Sequence, residues 1–246
     1  MENRSHGIQA ADYARTAYER DHDLPAVVEV AALTGQEEVL DVATGTGILA
    51  MALAPAARNV IGVDLASEML DEGRRIAVSR GITNVSFTRG DAGLLPFAGA
   101  AFDLVTCRIS AHHFPDVDAF CRESARVLRP GGRLIVVDNV VPEDGALDEF
   151  INVVEKLRDP SHVRAWRLSE WADRFRRYGL NFTFAQQFEV PQDIEAWMAR
   201  TGVPQSVAAD IRCRFDMAAA AAREAFAITP THFRMYKGVF WGQKSA

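Results

Sequence analysis

No apolar run in the sequence approaches the ~18 residues that cross a bilayer, and Met1 to Ala11 carries Glu2, Arg4 and His6 where a signal peptide needs an apolar stretch. Membrane insertion and export are not expected, and a cytoplasmic location is. Cysteine is scarce. The three residues, Cys107, Cys121 and Cys213, show neither Cys-x-x-Cys nor Cys/His zinc spacing and make no even-numbered disulfide framework, which fits a reducing compartment. Basic charge is not in excess either. Lys plus Arg number 27 against 33 Asp plus Glu, a net charge of −6, so the surface repels phosphate backbones and a nucleic-acid partner is not expected. Internal repeats and linkers rich in Pro, Gly or Ser are missing too. What remains is an ordinary globular composition, 48% hydrophobic and 24% charged over 246 residues, which predicts one domain over 1–246 as a monomer or homodimer.

The first ~140 residues alternate short β-rich runs with helical patterns, the signature of right-handed βαβ units and a parallel sheet. Strands are expected at Val39–Val42, Val60–Asp64, Val85–Arg89, Leu104–Cys107 and Arg133–Val137, and helices at Ile48–Ala54, Glu68–Arg80 and Val117–Leu128. Pro130-Gly131-Gly132 reads as the stop of the third helix. A helical lead-in ends near Leu33. The later part departs from simple alternation. It predicts helices at Leu147–Leu157, at Ser169–Tyr178 with Ser169 as cap, at Ile194–Thr201 and at Val207–Ile228, which holds five consecutive alanines, Ala218–Ala222. Phe182–Val190 and Phe233–Gln243 read as strands.

The most informative segment is Val39-Leu40-Asp41-Val42-Ala43-Thr44-Gly45-Thr46-Gly47-Ile48-Leu49-Ala50. A strand enters a glycine turn and then a helix, so backbone N–H groups can approach a ligand closely. Gly45, Gly47 and Ala50 satisfy the dinucleotide spacing G-x-G-x-x-G/A, and Asp64 sits at the end of the next strand, where a carboxylate can bridge ribose hydroxyls. Nicotinamide dinucleotides and S-adenosyl-L-methionine both present such a ribose. Asp41 separates the two: inside the turn it can meet the methionyl ammonium, whereas it would repel a pyrophosphate. Gly90-Asp91-Ala92 after the third strand places a second acid where an adenine amino group can be read.

With these residues in view, the sequence resembles the class I S-adenosylmethionine-dependent methyltransferases, in particular the group that includes the menaquinone and ubiquinone biosynthetic enzymes, and related bacterial small-molecule methyltransferases. The resemblance spans Val39 to Asp138 through VLDVATGTG, VIGVDLASEML, GDAGLLPFAGAAFDLV, CRISAHHFPD and ARVLRPGGRLIVVD, in that order. It implies an α/β, Rossmann-like fold: a seven-stranded, mostly parallel sheet with helices on both faces, the last strand antiparallel, and helical insertions in the C-terminal half. It implies that Asp41, Ala43, Thr44, Gly45 and Gly47 surround the methionyl part of the cofactor and Asp64 its ribose. Leu65 and Met69 would flank adenine, Asp91 and Ala92 would meet its amino edge, and Cys107 and Arg108 would line the site at the fourth strand's end. Ala43 departs from the pattern, standing where many members have a glycine, and is expected to narrow the turn slightly. On this basis residues 1–35 are a lead-in or lid, 36–140 the cofactor half, and 141–246 the completion of the sheet and the acceptor site.

Methyl transfer from a sulfonium is an in-line displacement, so the protein mainly aligns reactants and excludes water. A base is needed only for a protonated acceptor, such as a hydroxyl or an activated carbon. His112 and His113 follow the fourth strand at the ligand-binding edge and suit that role, although a His-His-x-Pro-Asp turn also serves as a structural corner. Arg158, His162 and Arg164 form a candidate cationic clamp with a second candidate base, or a solvated loop. Tyr13 and Arg15 belong either to a lid over S-adenosylmethionine, with Tyr13 a candidate substrate contact, or to a disordered lead-in. The aromatics Trp166, Trp171, Phe175, Trp197, Phe233 and Trp241 can wall an apolar pocket, with most expected in the core.

The expected reaction is metal-independent methyl transfer to carbon or oxygen of a small molecule, yielding S-adenosyl-L-homocysteine. Asp138-Asn139 keeps a metal-dependent catechol-type O-methyltransferase open, although Cys107-Arg108-Ile109-Ser110 offers a hard cation no further carboxylate. A non-catalytic S-adenosylmethionine or nucleotide-binding module is the alternative from another class. The motif for methylating amino groups of nucleic-acid bases, Asn-Pro-Pro-Tyr, is absent.

Overall fold

The computed structural model describes residues 23–245. Tyr13 and Arg15 therefore lie outside the described residues. The strands are β1 (Glu38–Val42), β2 (Asn59–Asp64), β3 (Val85–Arg89), β4 (Phe102–Arg108), β5 (Leu128–Val141), β6 (Trp166–Arg167), β7 (Leu180–Asp193) and β8 (His232–Lys244). They form one sheet in the order β3-β2-β1-β4-β5-β8-β7, with β6 paired to β5. β1 to β5 run parallel, and β8 is antiparallel to both β5 and β7. The expected architecture is thus present, with two-residue β6 added to seven full strands. Successive strands leave β1 in one direction through β2 and in the other through β4. That reversal opens a crevice at the carboxyl ends of β1 and β4, the place where open α/β sheets hold ligands.

Alternation along the strands builds two apolar layers. Leu40, Val42, Val105, Cys107, Leu134 and Val136 pack with Phe120 and Cys121 of α4 (Val117–Val127) and with Trp171 and Phe175 of α6 (Leu168–Arg177). Val39, Leu104, Ile135 and Val137 face the other way, against Val27 of α1 (Leu24–Ala31) and Leu49 and Leu53 of α2 (Ile48–Leu53). Helix α3 (Ser67–Ser79) adds Leu70 and Ala77 over Phe87 of β3. A second core joins α5 (Gly145–Arg158), α7 (Ile194–Ala199), α8 (Gln205–Asp216) and α9 (Ala220–Ala225) to the start of β8 through Ile151, Trp197, Phe215, Phe226 and Phe233.

Three local expectations are corrected. The span Val207–Ile228 is two helices, not one. Phe215 and Phe226 both lie against Phe150, at ring separations of 6.2 and 5.9 Å. Eleven residues of straight helix would separate them by roughly 16 Å, so the core breaks a run that alanine propensity favours. Ser169 does not cap α6: its hydroxyl donates to Glu143 Oε2 at 2.5 Å, while the Arg167 N–H finds Glu170 Oε2 at 3.0 Å. Finally, α4 stops at Val127, and Pro130-Gly131-Gly132 lies within β5 at a register shift against β4 between Phe102 and Leu104.

Candidate active site

The glycine turn is shaped by its neighbours in the sheet. Register puts Asp41 of β1 beside Gly62 of β2 and Thr106 of β4. Asp41 is buried and accepts hydrogen bonds from the hydroxyls of Thr44 (2.6 Å) and Thr106 (2.7 Å). A Cβ at position 62 would lie 2.7 Å from the Thr44 side chain, so glycine makes room for the turn. Ala43 adopts φ 53°, the left-handed conformation a glycine would take at no cost, and an L-residue there gives up about 1–2 kcal/mol. The alanine therefore strains the turn and does not change its course. Gly47 combines φ 79° with the Phe87 ring 2.6 Å from where its Cβ would be, so any side chain is excluded.

Asp64 ties the turn to the next one. Its Oδ2 accepts the Gly45 N–H at 2.8 Å and its Oδ1 the Ala66 N–H at 2.9 Å, and each oxygen keeps a lone pair for a further donor. The Thr46 hydroxyl is buried without a partner among the described residues. Leu65 and Leu94 are 60% and 76% exposed beside it, two large apolar side chains left uncovered on the wall of a cavity. An orphaned hydroxyl, free carboxylate lone pairs and bare leucines fit an adenosine-bearing ligand. Burial, against the hydrogen bonds from Thr44 and Thr106 and the nearby Arg108, pushes Asp41 up to about 6. A cationic ligand group nearby would restore its charge.

The other end of the cavity is built after β4. Arg108 clasps Asp23 through Nε (2.7 Å) and Nη2 (3.0 Å), and Lys237 of β8 reaches the same carboxylate at 3.1 Å. Ile109 follows in the left-handed region, φ 52°, where a β-branched residue is strained and such strain clusters at ligand sites. The chain then makes the single turn Ala111–His113. The His112 N–H donates to Asp138 Oδ2 at 2.9 Å, and its Nδ1 lies 2.5 Å from Asp138 Oδ1. His113 Nδ1 lies 3.1 Å from Ser161 Oγ, which donates its only proton to Asp159 Oδ1 at 2.6 Å. Nδ1 of His113 must therefore be the donor, which leaves Nε2 as its basic nitrogen. The two rings are 4.1 Å apart.

Their electrostatics diverge. Burial lowers the pKa of His112, but the Asp138 carboxylate more than reverses this and the net shift is upward. Asp138 is held low: burial raises it, and His112 and the N–H groups of Asn139 and His112 overcome that. His113 is lowered by burial and by its neighbour His112. The pair thus divides into one imidazole that favours its proton and one that sheds it, the pattern of an acid and a base set by environment.

One cavity of about 2010 Å³ spans both ends. Single-ligand pockets run to roughly 1,000 Å³, so this one has room for two reactants. Asp41, Ala43, Thr44, Gly45, Asp64, Leu65, Met69, Asp91, Ala92, Arg108, His112, His113 and Arg158 all lie on its wall. Asp91 accepts the Gly93 N–H at 2.7 Å. Arg158 is steered by Trp197, donating from Nε to its carbonyl at 3.1 Å with the guanidinium 4.8 Å over its ring.

Four residues depart from expectation. Gly47 and Cys107 are not on the wall, and Cys107 is a core residue whose thiol burial pushes well above its ordinary range. His162 is buried and held to Asn152 Oδ1 at 2.9 Å; burial and the neighbouring His112 and His113 push it down to about 3, so it stays neutral. Arg164 faces a separate groove outside α5, paired with Asp148 at 2.6 Å and stacked 4.8 Å over Trp166. The clamp expected from Arg158, His162 and Arg164 is therefore reduced to Arg158. The His162 loop instead braces the histidine turn, since the N–H groups of Val163 and Arg164 donate to the His112 carbonyl at 2.8 and 3.0 Å. Asp138, Asn139, Glu155 and Lys237 complete the site. Asp138 and Asn139 were visible in the sequence as an Asp-Asn pair ending a run of apolar residues; Glu155 and Lys237 carry no local signal.

A doubly wound sheet, a glycine turn latched by Asp64 and paired histidines on one cavity fit an S-adenosylmethionine-dependent methyltransferase. Comparison with known proteins agrees. Residues 39–132 match the model of a methyltransferase domain. The chain is 40% identical over 207 residues to the uncharacterized methyltransferase YcgJ of Bacillus subtilis, covering 84% of this chain and 82% of that one. It is 43% identical over 178 residues to the demethylmenaquinone methyltransferase of Thermus thermophilus, 71% of this chain and 78% of that one. The crystal structure of Bacillus subtilis YcgJ superposes with a TM-score of 0.89 at 38% identity, covering 92% of this chain and 99% of that one. The chain belongs to the methyltransferase family. No helix among the described residues is long and apolar enough to cross a membrane.

Proposed function

We propose that the protein transfers a methyl group from S-adenosyl-L-methionine to a carbon or oxygen of a small molecule without a metal. The observation that carries this reading is the single cavity joining the Gly45–Asp64 latch to the paired histidines. When bound, the cofactor supplies an electrophilic methyl group. Asp64 holds the ribose hydroxyls with its remaining lone pairs, Asp41 meets the ammonium, Leu65 and Met69 cover adenine, and Asp91 with Ala92 reads the amino edge. In this reading residues 36–140 hold the cofactor and the paired histidines, and 141–246 complete the sheet and the acceptor site, within one cytoplasmic domain.

His113 is the base in this reading. Its lowered pKa keeps it neutral near pH 7, and Ser161 orients it with Nε2 able to take the acceptor proton. His112, fixed by Asp138, is the more readily protonated of the pair. Metal independence is supported by the commitment of Asp138 to His112 and to the Asn139 N–H at 2.7 Å. Arg158 and the Trp197 ring line the acceptor chamber. Calorimetry against S-adenosylmethionine, S-adenosylhomocysteine and NADH tests the cofactor, and preference for NADH overturns the proposal. Turnover of methyl-labelled S-adenosylmethionine with a metabolite pool, with and without EDTA, tests the reaction; loss of turnover in EDTA removes the metal-independent form.

A further inference from the structure

Helix α5 carries two buried carboxylates, and it treats them differently. Asp148, 3% exposed, is fully satisfied: Arg164 at 2.6 Å, Arg167 at 2.9 Å and Asn152 at 2.7 Å all donate to it. Glu155, equally buried at 3% exposure, is on the wall of the large cavity, where its Oε1 accepts from Asn139 Nδ2 at 3.3 Å. Its Oε2 is buried with no hydrogen-bond partner among the described residues. Buried polar atoms are nearly always paired, and one that is not calls for an explanation. Burial, working against His112 and Arg158, brings Glu155 up to about 7, so near neutral pH it can offer a proton or accept one. Trp197, Met235, Ala196 and Val190 share that cavity's wall with Asn139, His112, Arg158 and Lys237. A buried hydrogen-bonding oxygen left without a partner at such a wall selects a ligand with a matching group.

We propose that Glu155 is a specificity-determining residue that hydrogen-bonds a hydroxyl of the methyl acceptor through Oε2, so that the acceptor carries a hydroxyl group. This rests on the methyltransferase reading, because it takes the chamber beside the histidines as the acceptor site. A site built around such a contact rejects a ligand lacking the hydroxyl far more strongly than one that differs only in size, because the carboxyl is left buried and alone. The hydroxyl serves either protonation state of Glu155, accepting from the neutral carboxyl or donating to the ionised one.

The test uses the full chain saturated with S-adenosylhomocysteine and two probes, 4-butylphenol and 4-butylanisole, which share an apolar body and differ in one hydroxyl. The expected result is that wild type binds the phenol at least about tenfold more tightly, one good hydrogen bond's worth. Glu155→Met, close in size and without a carboxyl, brings the ratio of the two affinities near one. Glu155→Gln, which keeps a hydrogen-bonding terminus, retains a preference for the phenol. Circular dichroism melting establishes that the variants fold, and Glu155→Leu replaces Glu155→Met should the latter not. A wild-type ratio near one overturns the proposal, as when Oε2 binds only a water, and so does a preference that survives loss of the carboxyl. S-adenosylhomocysteine affinity is measured first on the same samples. Failure there removes the methyltransferase reading, whereas normal affinity without phenol preference removes the Glu155 assignment alone.

Discussion

His112 and Asp138, which are 26 residues apart, meet twice: the backbone N–H of His112 donates to one carboxylate oxygen at 2.9 Å and its Nδ1 lies 2.5 Å from the other. The double contact fixes the position of the turn as well as the tilt of the ring. It makes Asp138 the support on which His113, the next residue, is presented to the cavity.

Asp138→Asn is expected to lower turnover by about 100-fold, the scale of a lost acid–base arrangement, with little change in S-adenosylmethionine affinity. It should also destabilise the fold by about 3 kcal/mol, as expected when a buried pair loses one charge. The folded pKa of His112 is raised, so its contribution is complete below its unfolded value of 6.5 and is lost as pH rises through the folded value. That of Asp138 is depressed, so its contribution is present above 3.8 and is lost as pH falls through the folded value. The melting temperatures of wild type and variant should therefore differ most between pH 3.8 and 6.5; a difference constant across the range counts against an ionic pair.

His113→Ala is expected to reduce turnover by about 100-fold or more, with cofactor affinity within about twofold of wild type. Because the pKa of His113 is lowered from 6.5, the acid limb of the wild-type rate profile should lie below pH 6.5 and vanish in the variant. Equal rates for the two proteins would leave the histidine turn a structural corner.

Asp64→Ala removes a carboxylate that latches two turns and, in the proposed complex, holds two ribose hydroxyls. Charge-assisted hydrogen bonds contribute about 1.5–3 kcal/mol each, so calorimetry should show affinity for S-adenosylmethionine falling at least about 100-fold. Near-normal affinity would place the ribose elsewhere.

Asp41 supplies a test in pH. Its pKa of about 6 means that it gains a proton as pH falls below that value, so affinity for the ammonium-bearing cofactor should decline from pH 7 to pH 5. Asp41→Asn should bind more weakly at neutral pH and without that dependence. The folded state holds the Asp41 proton more tightly than the unfolded chain, so this residue's contribution to stability falls as pH rises from 3.8 through 6. The neutral variant without ligand should consequently melt higher at pH 7, the expected signature of a charge buried for binding.

Glycine spacing, strand alternation and the acid after the second strand were legible in the sequence because each is local. Gly45, Gly47 and Asp64 need only one βαβ unit to come together, and the apolar period of β1 to β5 states which residues face inward. The single helix expected over Val207–Ile228 and the Ser169 cap were misread for the complementary reason: local propensity and local capping lost to Phe150 and Glu143, partners no nearby residue announces. Arg164 and His162 have the right chemistry for a substrate clamp, but Asp148 and Asn152 hold them first.

The sequence by itself therefore determined the fold class and the glycine turn with its Asp64 latch, where a handful of neighbouring residues dictate the backbone course. The tertiary structure decided the other end of the cavity. It paired His112 with Asp138, joined Arg108 to Asp23 across 85 residues, and left Glu155 without a partner for Oε2 among the described residues. Which buried charge meets which partner depends on sheet register and on competition among side chains from distant elements, and neither is written in any local pattern.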